Sequence, residues 1–441
     1  MNRLLPGLCL VVLLPLTQPA AASDWLYRMQ QGDTLWDLCL KYTHKRGCWM
    51  ELGKYNSIKH GRRIQPGTVI KVPASWLRTL PKVGQVGAVQ GDVTYITASG
   101  EESALRQGQA LMLGAGLRSG ERGSATIHLG AHQRVLLRPD SQLILENASS
   151  FEQSISDVEL RLESGNVEAS VRKGTKSRFQ IKTPAAIASV RGTRYRLAAD
   201  ATNKVTRSEV LDGNISFGSG ETVSVPAGFG VSAKQGEPPT PPRALLPAPK
   251  LAGNAFHLPA SAPIRWSANP DALAWQVDVY PPEGDQLLFS QRLSEPSFSF
   301  DDLQEQCYRL QISAIDSDGF QGLESVATLC VVAPLAPVAS VSVRVSDDDI
   351  PSVSWPAVRG ASQYAVTVAA DKHFDTVTWH KVVSATELQL PQVVDSRAWV
   401  KVVALDEHGN RADATVQTFT TERTDWRTVL GVGLFVLVAL L

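Results

Sequence analysis

The four cysteines beyond Cys9 fall into two distant pairs in this 441-residue chain. Cys39 lies close to Cys48, and Cys307 lies close to Cys330. Neither pair has the Cys-x-x-Cys spacing of a redox or zinc motif. His128-x-x-x-His132 would share one face only on a helix, and the intervening glycine favours a turn. The simplest prediction is two local disulfides, with no metal site and no cofactor.

Sequence motifs for catalysis are missing. The chain contains no Gly-x-Ser-x-Gly, no His-Glu-x-x-His and no P-loop, and no Gly-x-Gly-x-x-Gly follows a strand. A catalytic thiol at Cys39 or Cys48 is an alternative to a disulfide, but no His-Asn pair accompanies either residue. We therefore predict a protein that is not an enzyme.

The charge balance argues against a nucleic-acid partner. Lys and Arg number 43, as do Asp and Glu, so the formal net charge is zero. No global field draws the protein toward DNA, RNA or an anionic bilayer. A hydrophobic content of 43% over this length predicts several folded domains.

Both ends of the chain are apolar. Residues 1–22 carry Arg3, an apolar stretch over 8–16 and the small residues Ala20-Ala21-Ala22, which predicts a cleaved secretory signal peptide. An uncleaved anchor is the alternative. A periplasmic or cell-envelope location follows, and such compartments permit disulfides.

The other apolar end, residues 428–441, includes 13 uncharged residues from 429 onward and predicts a short apolar helix. Such a helix is about 20 Å long, short of a hydrocarbon core of about 30 Å. A minimal tail anchor, a truncated span and a hydrophobic end used by partners all remain open. We expect membrane association, with the domains on the extracytoplasmic side.

A proline-rich linker over residues 236–250 divides the chain into two architectures. Before it lie a short segment with a helical pattern, 24–76, and a strand-rich segment, 82–235. After it lie two strand-rich modules, 251–334 and 335–422. The expected fold class is multidomain and mainly β, and the linker is expected to act as an extended, semi-rigid spacer.

The two modules after the linker resemble each other. Ile264-Arg265-Trp266 matches Val353-Ser354-Trp355, and Asp316 with Gly319 matches Asp406 with Gly409. Both modules resemble fibronectin type III modules, which implies two β-sandwiches that serve as spacers or adhesive surfaces.

Cys307 and Cys330 are placed symmetrically about the segment Asp316-Ser317-Asp318-Gly319. If this segment is a hairpin turn, the two cysteines face each other on adjacent strands, which predicts their disulfide. Calcium binding by the acidic turn is the weaker alternative, because the remaining oxygen ligands are missing.

The segment 24–76 reads as strand, helix, helix, strand. It contains Gly32-Asp33-Thr34-Leu35-Trp36, and it closes with Pro66-Gly67 followed by Ile70-Lys71-Val72-Pro73. This segment resembles a LysM domain over essentially its full length, which implies a small βααβ fold. A disulfide between Cys39 and Cys48, at the junction of the helices, would stabilise it by roughly 2.5 to 3 kcal/mol.

The LysM resemblance implies binding of N-acetylglucosamine glycans, in bacteria mostly peptidoglycan, in a shallow groove between two loops. Leu35 and Ile64 are expected to offer apolar contacts to the sugar methyl group. The alternative is that the groove residues act only as helix caps and turns. The expected glycan-binding residues are Gly32, Asp33, Thr34, Leu35, Asn56, Ile64, Gln65, Pro66 and Gly67.

The segment 82–235 has alternating short strands and turn residues, with no helix of consequence. It carries Thr183-Pro184, then Val190-Arg191-Gly192-Thr193, and then Tyr195. These strings resemble the hallmark of FecR domains, in which Phe is common at the Tyr195 position. The resemblance implies a domain that contacts an envelope protein partner and receives a signal. The cytoplasmic anti-sigma segment of FecR transducers has no counterpart here.

A basic stretch surrounds the FecR hallmark and comprises Arg172, Lys173, Lys176, Arg178, Lys182, Arg191, Arg194 and Arg196. A basic face for an acidic partner is one interpretation. The solvated side of strands is the favoured one, with Arg191 bound to turn carbonyl groups.

These segments together predict a non-enzymatic, peptidoglycan-binding scaffold or sensor of the cell envelope. The main alternative is a periplasmic signal-receiving component of a FecR-type transmembrane regulatory system. A wall-remodelling enzyme is a weaker third hypothesis.

Overall fold

The computed structural model describes residues 24–420, except for 30–31, 46, 59–60, 62–63, 79–81, 131, 152–153, 174–177, 191, 261, 302, 347–349 and 392–396. The predicted signal peptide, residues 1–22, and the predicted apolar tail, residues 428–441, lie outside the described residues. Across the described part, no helix has the length and apolar character needed to cross a membrane.

The chain forms two compact units. The first comprises Met1–Lys250, Ser267–Pro296 and Gln311–Ser325, and the second comprises Leu251–Trp266, Ser297–Leu310 and Val326–Leu441. This division runs through the segment 251–334, which the sequence predicts as one module.

The N-terminal part of the first unit has the predicted βααβ order. Its elements are β1 (Asp24–Arg28), α1 (Leu35–Tyr42), α2 (Trp49–Tyr55), β2 (Val69–Pro73) and a 3-10 turn (Ala74–Trp76). Strands β1 and β2 are antiparallel, with Trp25 opposite Val72. Leu35, Leu38 and Cys39 are buried on one side of α1, as the helical spacing predicts.

The next part of the first unit is built from strands, and no helix occurs among its described residues, which confirms the sequence prediction. The strands are β3 (Lys82–Gln90), β4 (Val93–Ile96), β5 (Glu102–Ala104), β6 (Ala110–Met112), β7 (Gly116–Ser119), β8 (Ser124–His128), β9 (Gln133–Leu137), β10 (Gln142–Phe151), β11 (Ser154–Val171), β12 (Arg178–Lys182), β13 (Ile187–Val190), β14 (Arg194–Asp200), β15 (Val205–Asp212), β16 (Asn214–Ser219), β17 (Glu221–Pro226) and β18 (Phe229–Lys234).

Strand β11 belongs to two runs of paired strands. Its first half pairs with β10 and, in parallel, with β12. Its second half pairs with β9 and β14. Gly165 lies where the partners change, with φ of +86°, and a Cβ there would come within 2.4 Å of the Asp140 carbonyl oxygen. Only glycine allows both this backbone conformation and this close approach.

The hydrophobic core of these strands is continuous with that of the βααβ part. Trp25, Leu35 and Ile70 belong to the same cluster of buried residues as Leu160 and Val167. The backbone N–H of Leu26 also donates to the side-chain oxygen of Asn147 on β10, at 3.2 Å. The βααβ part is therefore packed against the strands and is not joined to them only by a flexible linker.

The proline-rich segment is not a free spacer, so this sequence prediction is wrong. It contains β19 (Arg243–Ala244), which pairs with β18. The backbone N–H of Leu323 donates to the Leu246 carbonyl at 2.9 Å. A proline-rich segment can form an edge strand, because an edge leaves some backbone N–H positions unused.

The strands after the linker form two sets, as the internal duplication predicts. The first set is β20 (Ala255–Pro259), β21 (Ile264–Arg265), β22 (Ala274–Tyr280), β23 (Phe289–Leu293), β24 (Ser297–Phe298), β25 (Cys307–Ile315) and β26 (Gln321–Val332). One sheet has the order β20-β26-β25-β22-β23, and β21 pairs with β24.

The disulfide between Cys307 and Cys330 is present, on the neighbouring strands β25 and β26, so the predicted pairing is confirmed. The turn between these strands is closed by Asp316, whose carboxylate accepts hydrogen bonds from the backbone N–H groups of Asp318 at 3.0 Å and Phe320 at 2.9 Å. These bonds confirm turn chemistry for the acidic segment.

The second set has a three-stranded and a four-stranded sheet, ordered β27-β28-β31 and β30-β29-β32-β33. Trp355 and Tyr364 lie in its core with ring centroids 5.4 Å apart. The two sheets give the predicted fibronectin type III-like sandwich. The strands are β27 (Ser342–Val345), β28 (Pro351–Ser354), β29 (Gln363–Ala369), β30 (Val377–Val383), β31 (Glu387–Gln389), β32 (Ala398–Leu405) and β33 (Thr415–Phe419).

Candidate functional site

Two loops of the βααβ part meet at one edge of the β1–β2 pair. The entry loop (residues 29–34) joins β1 to α1, and the return loop (residues 61–68) leads into β2. The Gly67 N–H donates to the Met29 carbonyl at 2.7 Å, and the Met29 N–H donates to the Thr68 carbonyl at 2.8 Å. The Leu35 N–H donates to the Gly61 carbonyl at 3.3 Å. The structure therefore brings together the two loops that the sequence predicts as a groove.

On the entry loop, Gly32 is exposed with φ of +94°. Asp33 accepts a hydrogen bond from the hydroxyl of buried Tyr27 at 2.8 Å. Burial and this bond raise the pKa of Tyr27, so the phenol stays protonated. Thr34 caps α1 by accepting from the Asp37 N–H at 3.2 Å. The Tyr27 hydroxyl thus holds the Asp33 carboxylate in place, and the Thr34 cap orients the first turn of α1.

Leu35 does not have the predicted contact surface. Its side chain is 1% exposed, and a Cβ on Gly61 would lie 3.3 Å from its Cδ1 atom. The expectation that this leucine touches a sugar methyl group is wrong, because the first helical position points into the core. Leu35 positions the return loop instead.

Asn56 also has a positioning role. Its amide nitrogen donates to the carbonyls of Leu52 at 2.9 Å and Lys71 at 2.8 Å. Its amide oxygen accepts from the Lys71 N–H at 2.6 Å. The nitrogen and the oxygen of the Asn56 amide therefore both form hydrogen bonds that hold α2 against β2. The side chain has no amide N–H group left for the predicted glycan contact.

The tip of the return loop remains accessible. Gln65, Pro66 and Gly67 are exposed, while Ile64 is half-buried against the core. The Gln65 carbonyl accepts from the backbone and the hydroxyl of Thr68, at 3.1 and 2.7 Å. This tight turn leaves Gln65 and Pro66 exposed on its outer face.

Trp36 is an exposed residue near the entry loop that the predicted site does not include. Its side chain is 56% exposed, and that of Leu40, one turn further, is 57% exposed. The sequence does indicate this exposure. Trp36 and Leu40 are apolar, but the helical period places them away from the buried side of α1. The structure places an exposed aromatic ring two residues from the Thr34 cap.

The disulfide between Cys39 and Cys48 is present, as predicted, with Cα atoms 5.8 Å apart. It holds the start of α2 beside the second half of α1. The exposed Trp49 follows this bond directly, so it lies toward the end of α1 opposite to Trp36. Two disulfides among the described residues point to an extracytoplasmic location.

Part of the FecR hallmark builds one turn. The Thr183 hydroxyl oxygen accepts from the Ala186 N–H at 3.0 Å and contacts the Thr206 hydroxyl at 2.7 Å. Pro184 is exposed within this turn. These contacts give Thr183 and Pro184 a role in shaping the backbone.

The second part of the hallmark closes the start of β14. Val190 is buried, and the buried Thr193 donates to the Asn214 carbonyl at 2.8 Å. Gly192 has φ of +76°, and a Cβ there would lie 2.6 Å from Lys173 Cα. The predicted role of Arg191 lies outside the described residues.

Tyr195 is fully buried, and its hydroxyl has no hydrogen-bond partner among the described atoms. Burial raises its pKa. By contrast, the hydroxyl of buried Tyr364 accepts from the Val358 N–H at 2.9 Å. The Phe that is common in FecR domains would fill the Tyr195 position without an unsatisfied hydroxyl group.

Of the basic stretch, Arg172, Lys173 and Arg178 are exposed as expected, but the expectation is wrong for Arg196 and holds only in part for Arg194, whose side chain is 30% exposed. Arg196 is 4% exposed and pairs with Glu324 at 2.9 Å. Arg194 donates to Glu168 at 2.8 Å and also pairs with Glu324. Although burial opposes ionisation, the two arginines hold the pKa of Glu168 below its ordinary value. These buried ion pairs join β14 to β26 within the first unit.

A second buried pair lies beside this network. Arg138 donates to the Asp278 carboxylate at 2.6 Å, and both residues are less than 10% exposed. Ser290 and Gln276 also donate to this carboxylate, at 2.8 and 3.0 Å. Burial raises the pKa of Asp278, but Arg138 and these donors outweigh it and hold the pKa low. Strand β22 is thereby fixed to the segment after β9.

Within the described residues, no group of three or more His, Cys, Asp or Glu side chains is arranged to hold a metal ion.

Comparison with known proteins agrees with the geometry. The LysM domain model matches residues 27–73, and the FecR protein model matches residues 115–216. No curated protein matches the chain.

Several solved structures share similarity with the chain. The FN1–FN3 domains of chicken CNTN1 are 15% identical, with a TM-score of 0.32, covering 59% of this chain and 99% of that one. The fibronectin(III)-like modules of Clostridium thermocellum CbhA are 17% identical, with a TM-score of 0.25, covering 38% and 90%. A "putative anti-sigma factor" from Parabacteroides distasonis is 11% identical, with a TM-score of 0.26, covering 29% and 59%.

The matched domains support an envelope protein of the sensor or binding kind. In its particular form, one chain combines a LysM domain, a FecR domain and fibronectin type III-like strands.

Proposed function

We propose that this chain is a non-enzymatic, peptidoglycan-binding protein of the cell envelope. The observation that carries the proposal is the meeting of the entry and return loops, with Gly32, Gln65 and Gly67 exposed and with exposed Trp36 two residues after the Thr34 cap. Exposed turn backbone can hydrogen-bond the N-acetyl groups of N-acetylglucosamine glycans. An exposed indole ring can pack on a sugar face.

The LysM domain is packed against the FecR strands, so glycan binding by the first also positions the second. Its core is continuous with that of the FecR strands, and Leu26 is hydrogen-bonded to Asn147. The buried pairs at Glu324 and Asp278 extend this unit to β22 and β26. Binding to the wall therefore fixes the position and orientation of the FecR surfaces, at which we place the contact with an envelope protein partner.

The test is cosedimentation of the full-length protein with isolated peptidoglycan sacculi. We expect the wild-type protein to pellet with sacculi and to stay soluble without them. Trp36→Ala should weaken binding by about 2- to 10-fold, because a lost aromatic contact is worth about 0.5–1.5 kcal/mol. Trp36 is exposed, so its replacement should leave folding intact.

Trp49→Ala is the matched control, because Trp49 is also exposed in the LysM domain but follows the disulfide at the other end of α1. It should bind like the wild type. Equal pelleting of the Trp36 variant and the wild type would remove Trp36 from the site. Failure of the wild-type protein to pellet would contradict the proposed function.

A further inference from the structure

The proline-rich segment presents one ordered edge to solvent. Every third residue along this edge is exposed, namely Pro238, Pro241, Ala244 and Pro247. Pro239 and Pro242 are half-buried, and Leu245, three residues further, is 8% exposed. A polyproline II helix has three residues per turn, so residues three apart share one edge. The burial pattern is therefore that of a polyproline II helix with one edge packed on the first unit and another edge in solvent.

Local chemistry dictates this conformation. The proline ring holds φ near −65°, and a residue that precedes proline is restricted to extended backbone. Glu237 and Thr240 each precede a pair of prolines. The described residues contain no cis peptide bond, and polyproline II is built from trans bonds. We call the exposed residues of the segment 238–243 the proline ridge.

Backbone hydrogen bonds hold the proline ridge on the first unit. The Thr240 N–H donates to the Ser232 carbonyl at 2.8 Å, and the Leu245 N–H donates to the Gly228 carbonyl at 2.9 Å. The segment then pairs with β18 through β19. A partner would therefore meet a ridge that is already ordered, and binding would not carry the free-energy cost of ordering a flexible chain.

The charged residues beside the proline ridge are paired within the first unit. Arg243 pairs with Asp316 at 2.9 Å and also with Asp318, and its guanidinium lies 5.2 Å from the ring centroid of Phe320. Glu237 pairs with Lys234 at 3.3 Å. The groups that remain for recognition are therefore the proline rings and the polyproline II backbone rather than a net charge.

We propose that the proline ridge is a docking site for a protein domain with an aromatic-lined groove. The segment reads Pro-x-x-Pro-x-Arg from Pro238 to Arg243, and aromatic grooves bind Pro-x-x-Pro segments in the polyproline II conformation. Aromatic rings pack on the proline rings, and the indole N–H or phenol O–H at their edges can donate to backbone carbonyls. The ridge shares no residue with the LysM loops, so its test does not depend on glycan binding.

The test is NMR titration of two isotope-labelled probes, an SH3 domain and a WW domain, with the unlabelled full-length protein. Both probes bind polyproline II peptides through aromatic grooves. We expect the groove signals of at least one probe to shift and to saturate at one-to-one binding. The affinity should change less than about twofold between about 50 and about 300 mM salt, because the charges beside the ridge are already paired. Unshifted groove signals in both probes would overturn the proposal.

Variants show whether the probe binds at the proline ridge. Replacing both Pro238 and Pro241 with alanine should weaken binding at least about tenfold, because two ring contacts are lost and the backbone is less restricted. Pro247→Ala is the matched control, because Pro247 is exposed on the same edge but lies roughly 19 Å beyond Pro241 at about 3.1 Å per residue. This variant should bind like the wild type.

Hydrogen exchange of β18 checks that the segment stays packed in each variant. Equal weakening by Pro247→Ala and by the double variant would indicate a general loosening of the segment and would overturn the proposal. Unchanged binding by the double variant would do the same.

A synthetic peptide of residues 236–245 tests whether the exposed edge is the one that is recognised. The free peptide exposes every edge of the polyproline II helix, whereas the protein exposes only the outer ones. The full-length protein should bind the probe at least as tightly as the peptide does, because its ridge is already ordered. Binding of the peptide without binding of the protein would place recognition on the packed edge and would overturn the proposal.

Discussion

Replacing Glu209 with glutamine should change how the stability of the first unit depends on pH. Glu209 is 3% exposed on β15. Burial raises its pKa from 4.5 to about 7, although Arg196 and Arg207 oppose the shift. The folded state therefore holds a proton on this carboxyl at pH values where the unfolded chain has lost it.

The sign of the effect follows from this difference in proton binding. A group whose pKa is raised by folding stabilises fully below the unfolded pKa, and this stability is lost as the pH rises through the folded pKa. The window here runs from pH 4.5 to about 7. One pKa unit corresponds to about 1.4 kcal/mol, so the loss across the window is about 3 kcal/mol.

Glutamine has nearly the same shape and keeps an oxygen to accept from the Gln321 N–H, but it does not ionise. The difference in unfolding free energy, Glu209→Gln minus wild type, should therefore rise by about 2–3 kcal/mol from pH 5 to pH 8. Urea unfolding at each pH measures it, and hydrogen exchange of β15 shows that this unit is the one observed.

The matched control is Glu221→Gln, because Glu221 is exposed on β17 of the same domain. Its difference from the wild type should stay flat over the same pH range. A flat difference for Glu209→Gln, or one that favours the variant at acidic pH, would refute the burial argument.

Three other predictions concern single contacts. Tyr195→Phe should stabilise its domain by about 1 kcal/mol, because it removes a buried hydroxyl group that has no hydrogen-bond partner among the described residues. Tyr364→Phe should destabilise its sandwich by about 1 kcal/mol, because it removes a hydroxyl group that accepts a hydrogen bond. Hydrogen exchange of the strands that carry the two tyrosines measures each effect separately. Replacing both Cys39 and Cys48 with alanine should destabilise the LysM domain by about 2.5–3 kcal/mol, seen as faster exchange in both helices. Glu324→Gln should cost about 3 kcal/mol in urea unfolding, because it leaves buried arginine charge without its partner, and a cost below 1 kcal/mol would contradict the buried network.

The features that the sequence predicted correctly are local ones. The helical spacing of Leu35 and Leu38, and the hairpin between Cys307 and Cys330, each depend on residues close together in the chain. Turn residues and periodicity carry such information directly. Both disulfide pairings could be predicted for the same reason, because each joins two cysteines that are close in the chain.

The features that the sequence did not reveal depend on distant residues. Arg196 and Glu324 are separated by 128 positions in the chain. Because arginine side chains are mostly exposed, the sequence alone predicts an exposed Arg196 and does not reveal its distant partner. The pairing of the linker strand with β18 likewise depends on an edge that only the folded domain presents. Within the LysM domain, the spacing identified the buried face of α1 but not the use of the exposed Trp36.

The most direct measurement of glycan recognition is hydrogen exchange of the full-length protein with and without soluble peptidoglycan glycan strands. Binding between the two LysM loops predicts slower exchange confined to residues 32–36 and 64–68, with the sandwich strands unchanged. Exchange that stays the same in both loops, or protection that appears only at other parts of the chain, would contradict the account.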